Sequence, residues 1–367
     1  WSMVILVIII WAVYLRFGGG NDYPDLSSAN PAMPLLEEVL AYPEPLGNVA
    51  VSATGRVFFT VHPESRPTGN KLLVRETDGS IHAFPSEAAQ AELFDAVMGL
   101  VIDARGTLWT IDHGQHGFRQ PRLIGFDIDT GKVLKDFPLS GSVAPKGSFL
   151  QDLQVNSLGS MAYIADVSVL RNSPGIVMVD LNTGDAWRAL DKDPSVMPQP
   201  WRIRNPTKTM SWLGGLFTLR PGIDGIAISK SDQFLVYGAM AHDTLFIVPT
   251  LALQREEAGQ AAQQVRAIGR KPLSDGLSMD RNDNVFITDV EHGSVMKMTP
   301  AGQLSTVVQD TKRLRWADAL SFGPNGWLYV VDSAIPDQML RSKAHMREQA
   351  PYRIFRFKPG SEGVPGQ

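Results

Sequence analysis

One stretch, Leu273 to Lys297 (LSDGLSMDRNDNVFITDVEHGSVMK), limits what this chain can fold into more than any other, because it holds a whole structural unit that five weaker copies repeat. Asp275-Gly276 leads into alternating Leu277 and Met279. A polar turn over Arg281 to Asn284 follows, and Val285 to Thr288 returns as a β-branched and aromatic run, which reads as an antiparallel hairpin. A second turn at Glu291 to Ser294, then Val295 to Met298, then a third turn at Thr299 to Gly302 and a last run, Leu304 to Val308, make four short strands. Four short antiparallel strands are the content of one β-propeller blade.

The residue five positions before the polar residue that ends the first strand is Asp275 in this unit, and Gly47, Met98, Gln151, Asp224 and Asp318 occupy the same register in the copies. The spacings are 51, 53, 73, 51 and 43 residues. Such spacing fits four-stranded blades with one long insertion and predicts an all-β fold, a six-bladed β-propeller over residues 35–358. Leu35 to Ala41 is read as a strand that joins Tyr352 to Lys358 and closes the ring, leaving residues 359–367 as a C-terminal tail. Turns such as Asp129-Thr130-Gly131 and Asn182-Thr183-Gly184 supply the positive φ that tight hairpins need.

A formal charge of −4 with scattered Lys and Arg gives no electrostatic footprint for nucleic acid. Cysteine is absent, which excludes disulfides, thiolate metal sites and a cysteine nucleophile. Residues 1–17, WSMVILVIIIWAVYLRF, are apolar except for Ser2 and Arg16. They are read as an uncleaved transmembrane helix of about 25 Å, with Trp1, Trp11, Tyr14 and Arg16 as anchoring residues. Residues 18–34, rich in Gly, Asn, Asp, Ser and Pro, are read as a flexible linker. The expected location is the cell membrane, single-pass, with the propeller on the periplasmic or other extracytoplasmic side. Three insertions break the blade pattern: 191–222 is rich in Pro, Trp and Arg, while 251–269 and 337–351 have helical composition. Excursions of this kind serve as binding surfaces or merely cover blade edges.

In a propeller the innermost strands line the channel, so residues entering them in one register converge on one mouth. That ring is Gly47, Met98, Gln151, Asp224, Asp275 and Asp318, and the returning strands bring Asp112, Asp166, Asp289 and Asp332 to the same end. Several carboxylates around one cavity repel one another unless protons or a cation intervene, and an all-oxygen set suits Ca²⁺. The bland alternative is that each Asp caps a turn. The run Asp112-His113-Gly114-Gln115-His116 offers imidazoles, but in a hairpin turn, a poor place for a metal. No GxSxG elbow, phosphate-cradling Gly loop or HExxH helix is present.

Taken in order, GNVAVSATGRVFFTVHP, IDARGTLWTID, APKGSFLQDLQV followed by AYIAD, GIVMVDLNTGDAWRAL, DGIAIS, SDGLSMD with FITDVEH, and WADALSFGPNGWLYVVD resemble the yellow/major royal jelly protein family in its bacterial form. The resemblance covers residues 35–358 and implies a six-bladed propeller. More distantly the chain is similar to the calcium-dependent lactonases of the gluconolactonase and senescence-marker group, whose metal lies at one channel mouth. The lactonase pattern has Glu at the blade 1 position and Asn at the blade 3 and blade 4 positions, where this chain has Gly47, Gln151 and Asp224. Asp275 alone matches, and Gln151 also replaces the Asn of the family's FLND motif.

These readings lead to the expectation of a membrane-anchored binding or assembly module, an accessory subunit of a larger membrane protein complex, with Gln151, Asp224, Asp275 and Asp318 as ligand-binding residues and Asp224 and Asp275 as metal ligands. The alternatives are a Ca²⁺-dependent lactone or ester hydrolase, in which Asp224 or Asp275 activates water, and a carrier of a small ligand at the channel mouth.

Overall fold

The computed structural model describes residues 1–367, the side chain of Ser2 excepted. The repeats fold into six antiparallel sheets of four strands. Their inner strands are Leu46–Val51, Val97–Ile102, Leu150–Val155, Ile223–Ile228, Leu277–Met279 and Ala317–Phe322. Each touches the next and the last touches the first, so the sheets close into a ring of blades 1 to 6. Blade 6 takes three strands from the C-terminal part and its outermost, Glu37–Tyr42, from the N-terminal part, paired antiparallel with Tyr352–Phe357. Glu37 and Glu38 reach Arg356 and Arg353 across that seam at 3.0 and 2.9 Å. The ring thus closes as the spacing predicts, without a free inner edge.

Inner strands read as near-continuous apolar runs because both faces are covered. Five of the six are buried at every residue and the sixth, Leu150–Val155, at all but Asp152, and a separate hydrophobic cluster fills each gap between neighbouring blades. Phe286 and Phe322, fully buried and edge to face at 5.6 Å, join blades 5 and 6. Truncating either to Ala would cost about 3–5 kcal/mol through the cavity left behind.

A seventh cluster lies over one mouth. Tyr23, Ile203, Met210, Leu219, Met240, Leu273, Val290, Trp316 and Ile335 form it, drawing together residues 18–34, the 191–222 insertion and the tops of blades 4 to 6. This corrects the reading of 18–34 as a loose tether. Asn21–Asp22 pairs in parallel with Trp201–Arg202, the buried Tyr23 hydroxyl donates to Lys271 O at 2.7 Å, and Ser28 N–H donates to Thr306 Oγ1 at 2.9 Å. The 251–269 stretch is helical only in part: two 3₁₀ segments, Thr250–Leu253 and Ala258–Gln264, precede an outer strand, Arg266–Arg270. Within 337–351, Lys343–Glu348 is helical, as its composition predicts.

Helix α1 (Ser2–Phe17) has 16 residues. At 1.5 Å per residue it reaches about 24 Å, against the roughly 20 residues that a span needs. No helix among the described residues is long and apolar enough to cross a membrane, so the expected transmembrane helix is not supported. Its base is fixed to the insertion: Phe17 packs on Phe217 with ring centroids 5.9 Å apart, Arg220 Nη2 donates to Gly18 O at 2.9 Å, and Gly19 N–H donates to Gly215 O at 3.0 Å.

The other mouth is crossed by residues 359–367. Phe322 N–H donates to Gln367 O, Gly366 N–H to Phe322 O, Ile102 N–H to Gly366 O, and Gln367 Nε2 to Val155 O. These bonds reach inner strands of blades 2, 3 and 6, so the tail spans the channel from one side to the other.

Candidate functional site

Five inner strands carry the same irregularity near their first residue. In blade 4, Ile223 pairs with Ala239 and Ile226 with Tyr237, so Asp224 and Gly225 face the single residue Gly238. The corresponding pairs are Gly47-Asn48, Met98-Gly99, Gln151-Asp152 and Asp318-Ala319. In blade 5 the Thr288 hydroxyl accepts from the N–H groups of both Asp275 and Gly276, at 3.1 and 3.0 Å. The six positions aligned in the sequence are therefore the first residues of six equivalent kinks. A bulge sets two residues against one and breaks the two-residue alternation of a strand. Packing at this level is backbone on backbone: a Cβ on Gly99, Gly225 or Gly276 would lie 2.0, 2.5 or 2.5 Å from the carbonyl oxygen of the next blade's kink. Only glycine permits that approach.

The kinks gather four carboxylates. Asp224, Asp275 and Asp318 are 0, 2 and 1% exposed beneath the lid, while Asp152 in blade 3 is half-buried. Gln151 Nε2 reaches across to Asp275 Oδ1 at 3.4 Å, Trp316 Nε1 donates to Asp275 Oδ2 at 2.6 Å, and Asn48 Nδ2 donates to Asp152 Oδ1 at 2.9 Å. Asp224 Oδ1, Asp224 Oδ2 and Asp318 Oδ2 receive no hydrogen bond from the described residues. Burial pushes all four carboxyls up. Asp275 rises to about 6 against the opposing pull of the Trp316 bond, and Asp152 rises to about 8, helped by the charge of Asp275. Asp224 and Asp318 rise well above the carboxylate range, through burial first and the charge of Asp275 second. Buried carboxylate oxygens without donors must take up a proton or a cation. The all-oxygen donor set is of the chemical kind that a hard divalent ion such as Ca²⁺ takes, although no three of these carboxylates bring their oxygens within 4.8 Å of one another as the ring stands.

The aspartates of the returning strands stand at the same end but are fully engaged. Asp112 accepts from the N–H groups of Asp95, Ala96 and Gly114, at 2.7 to 2.9 Å. Asp166 accepts from Phe149 N–H and from Arg188, and Asp332 from Arg315 and Trp316. Asp289 caps the turn to Glu291 and His292, with Asp25 close to the same imidazole. Among the described residues only Asp25, Asp289 and His292 bring three ligand atoms within 4.8 Å of one another, but as an ion-paired turn with Asp25 exposed.

Of the sequence-nominated residues, the ring brings together Gln151, Asp224, Asp275 and Asp318. Gly47 and Met98 add no polar side chain. The reading misses Asn48 and Asp152, the second residues of their kinks, and Trp316, whose indole is the strongest neutral partner of Asp275. The acidic residue in FLQD was visible, but strict alternation points it away from the channel.

The family model "Major royal jelly protein" matches residues 96–357. Major royal jelly protein 1 of Apis mellifera is 29% identical over 170 residues, 41% of this chain and 36% of that protein, so the chain spans little more than a third of the curated relative. Among solved structures, a gluconolactonase from Xanthomonas campestris is 14% identical with TM-score 0.58, over 93% of this chain and 97% of that one. A calcium-binding protein, regucalcin, from Agrobacterium tumefaciens is 14% identical with TM-score 0.54, over 89 and 97%. At such identity the structural likeness speaks for the fold.

Proposed function

The chain belongs to the major royal jelly protein family, and from that premise we propose that its acidic centre holds a divalent cation of the calcium type and that the mouth beside it binds and hydrolyses a small ester or lactone. The carrying observation is the set of buried oxygens Asp224 Oδ1, Asp224 Oδ2 and Asp318 Oδ2, which make no hydrogen bond within the described residues although Asp275 adjoins Asp224 and Ser333 adjoins Asp318. The calcium binding of the regucalcin relative in fold and the activity named for the gluconolactonase agree with this reading. When bound, the cation would polarise a carbonyl oxygen. Asp224, Asp275 and Asp318 would hold it, and Gln151 and Trp316 would fix the Asp275 carboxylate in place. Asp152, the least buried of the four, would accept the proton of the attacking water in its ionised form, above the about 8 to which its pKa is raised. The expected Glu and Asn of the lactonase pattern are absent, so the ester or lactone differs from theirs in the contacts it meets.

Calorimetric titration with Ca²⁺ tests the cation: saturable binding by the wild type, lost in Asp224→Asn, supports it. Absence of binding by Ca²⁺, Mg²⁺, Mn²⁺ and Zn²⁺ up to millimolar concentration would sink it. Hydrolysis of simple γ- and δ-lactones, abolished by chelation, supports the reaction; ligand binding without turnover would make the site a carrier.

A second reading rests on α1. Met3 to Trp11 are each 45% exposed or more around the whole helix, and a helix apolar on every side is normally buried. We therefore also propose that α1 holds the propeller at a membrane, extracytoplasmically, as an accessory subunit of a membrane complex. Gentle detergent extraction followed by mass spectrometry of co-migrating chains checks this, with deletion of residues 1–17 expected to release the protein. Recovery as a lone monomer in the soluble fraction would overturn it.

A further inference from the structure

Outside the acidic centre, one group of titratable side chains stands apart, at the ends of the second strands of blades 1 and 2. A cleft of about 450 Å³ there is lined by Glu64, His113 and His116, with Pro63, Pro67 and Leu340 giving it apolar walls. His116 Nε2 meets Glu64 Oε1 at 2.7 Å. His113 Nδ1 accepts the backbone N–H of His116 at 2.9 Å, and Phe149 packs on both imidazoles with centroids 4.7 Å away. The turn that presents His116 is left-handed throughout: Gly114, Gln115, His116 and Gly117 have φ of 55, 50, 58 and 72°. Two of those four carry side chains that seldom adopt this conformation.

The hydrogen bonds settle where the protons are. Because a backbone N–H donates to His113 Nδ1, the neutral ring carries its proton on Nε2; burial keeps that ring neutral, with its pKa lowered to about 3. His113 Nε2–H is therefore a donor, and the residue is 1% exposed with no partner for that atom. Glu64 takes the Nε2–H of His116, so in a neutral His116 ring Nδ1 is an acceptor, and that atom is also buried and unpartnered. These tautomers disfavour a metal, since a ligating nitrogen needs the lone pair that His113 Nε2 lacks. One buried donor beside one buried acceptor matches a single hydroxyl group, which offers both functions.

We propose that this cleft is a second ligand site, separate from the acidic centre, that binds an alcohol or phenol by its hydroxyl group: the oxygen accepts from His113 Nε2–H and the hydroxyl proton points to His116 Nδ1, held as acceptor by Glu64. The volume far exceeds the ~30 Å³ of one water, and Pro63, Pro67 and Leu340 are placed to meet the carbon body. The site neither needs the cation nor shares a residue with its proposed holders.

The test uses the full chain, ¹⁵N-labelled at histidine, with long-range ¹H–¹⁵N spectra of the imidazoles during titration with phenol and cyclohexanol. Expected are the Nε2–H tautomers of His113 and His116 and a saturable shift confined to them. Toluene, which lacks the hydroxyl, should bind at least about tenfold more weakly than phenol, as should phenol to His116→Gln, for the loss of one buried hydrogen bond. Leu340→Glu, at a 73% exposed wall residue, should weaken binding without disturbing the fold. Asp224→Asn should leave phenol binding unchanged, so failure of the cation reading and failure of this one are distinguishable. No saturable shift with either alcohol, toluene binding as tightly as phenol, or undiminished binding by His116→Gln would each overturn the proposal.

Discussion

Two circles of aspartates stand at the same end of this propeller, alike in residue type and, Asp152 excepted, in burial, and opposite in circumstance. The inner circle, Asp152, Asp224, Asp275 and Asp318, enters the channel-lining strands; the outer circle, Asp112, Asp166, Asp289 and Asp332, ends the strands behind them. Outer carboxylates face backbone N–H groups of the connecting loops and, in two blades, an arginine. Inner ones act chiefly on one another, the charge of Asp275 helping to raise Asp152, Asp224 and Asp318. A buried aspartate is thus a structural part, or a group that must take up a proton or a cation, according to whether donors reach it, and its own burial decides nothing.

The largest effect expected from this contrast is in the outer circle. Asp332 is fully buried and accepts from Arg315 Nε at 2.8 Å and from the N–H groups of Arg315 and Trp316. Asp332→Ala leaves the Arg315 Nε–H and two amides without partners and a largely buried guanidinium without its adjoining carboxylate, and should destabilise the fold by about 3–5 kcal/mol in denaturant titration. A loss below about 1 kcal/mol would show that water replaces the carboxylate and that the outer circle is not structural in this sense.

In the inner circle the same kind of change should act the other way. Asp224→Asn replaces a carboxyl that must hold a proton when no cation is bound, and brings an amide that can donate to Asp275, so with chelator present the variant should be at least as stable as the wild type. Calcium at 100 times its dissociation constant should stabilise the wild type by about 2.7 kcal/mol and the variant hardly at all. Equal responses of both proteins would place the ion elsewhere.

How far these circles can be read from sequence is instructive. The repeat and its register mark Gln151, Asp224, Asp275 and Asp318 as equivalent, and the strand-end aspartates return to the same end, as antiparallel pairing requires. Asn48 and Asp152 escape because a bulge turns the residue that alternation assigns to the sheet face toward the axis. Trp316 escapes because its partner, Asp275, lies in the preceding blade, 41 residues earlier. The lid is the least legible part. Residues 18–34 and 191–222 lack periodicity, and their few apolar side chains find a common cluster only once the ring has set their distance.

Acidity should separate the circles further. A carboxyl whose folded-state pKa lies above its unfolded value favours folding where it is protonated, and that advantage is lost as pH rises through the folded value. For the inner circle the window runs from about 4, the unfolded value, through the about 6 of Asp275 to the about 8 of Asp152. Cation-free wild type should therefore lose stability relative to Asp275→Asn as pH rises from about 4 to about 6, the window of Asp275, and on toward 8 as far as the charge of Asp275 raises Asp152. Since the cation competes with these protons, the calcium-induced rise in Tm should be greater at pH 8 than at pH 5. A rise independent of pH would separate the bound ion from the protonated cluster.

The smallest effect is expected where the circles come nearest to overlapping. Asp289 belongs to the outer circle, yet with Asp25 and His292 it brings three ligand atoms close together. Its Oδ1 accepts from the N–H groups of Glu291 and His292 at 3.0 and 3.1 Å, a turn-capping role that an asparagine oxygen fills as well. What Asp289→Asn gives up is the charge opposite His292, whose pKa is raised chiefly by the Asp289 hydrogen bond. That contact is half-exposed, so the loss should stay below about 1 kcal/mol. The imidazole should titrate lower in the variant, measurable by NMR, and the calcium response should be untouched. If calcium binding instead disappears with Asp289→Asn and survives Asp224→Asn, then the turn at Asp289 is the ligand and the orphaned oxygens of the inner circle are held by protons alone.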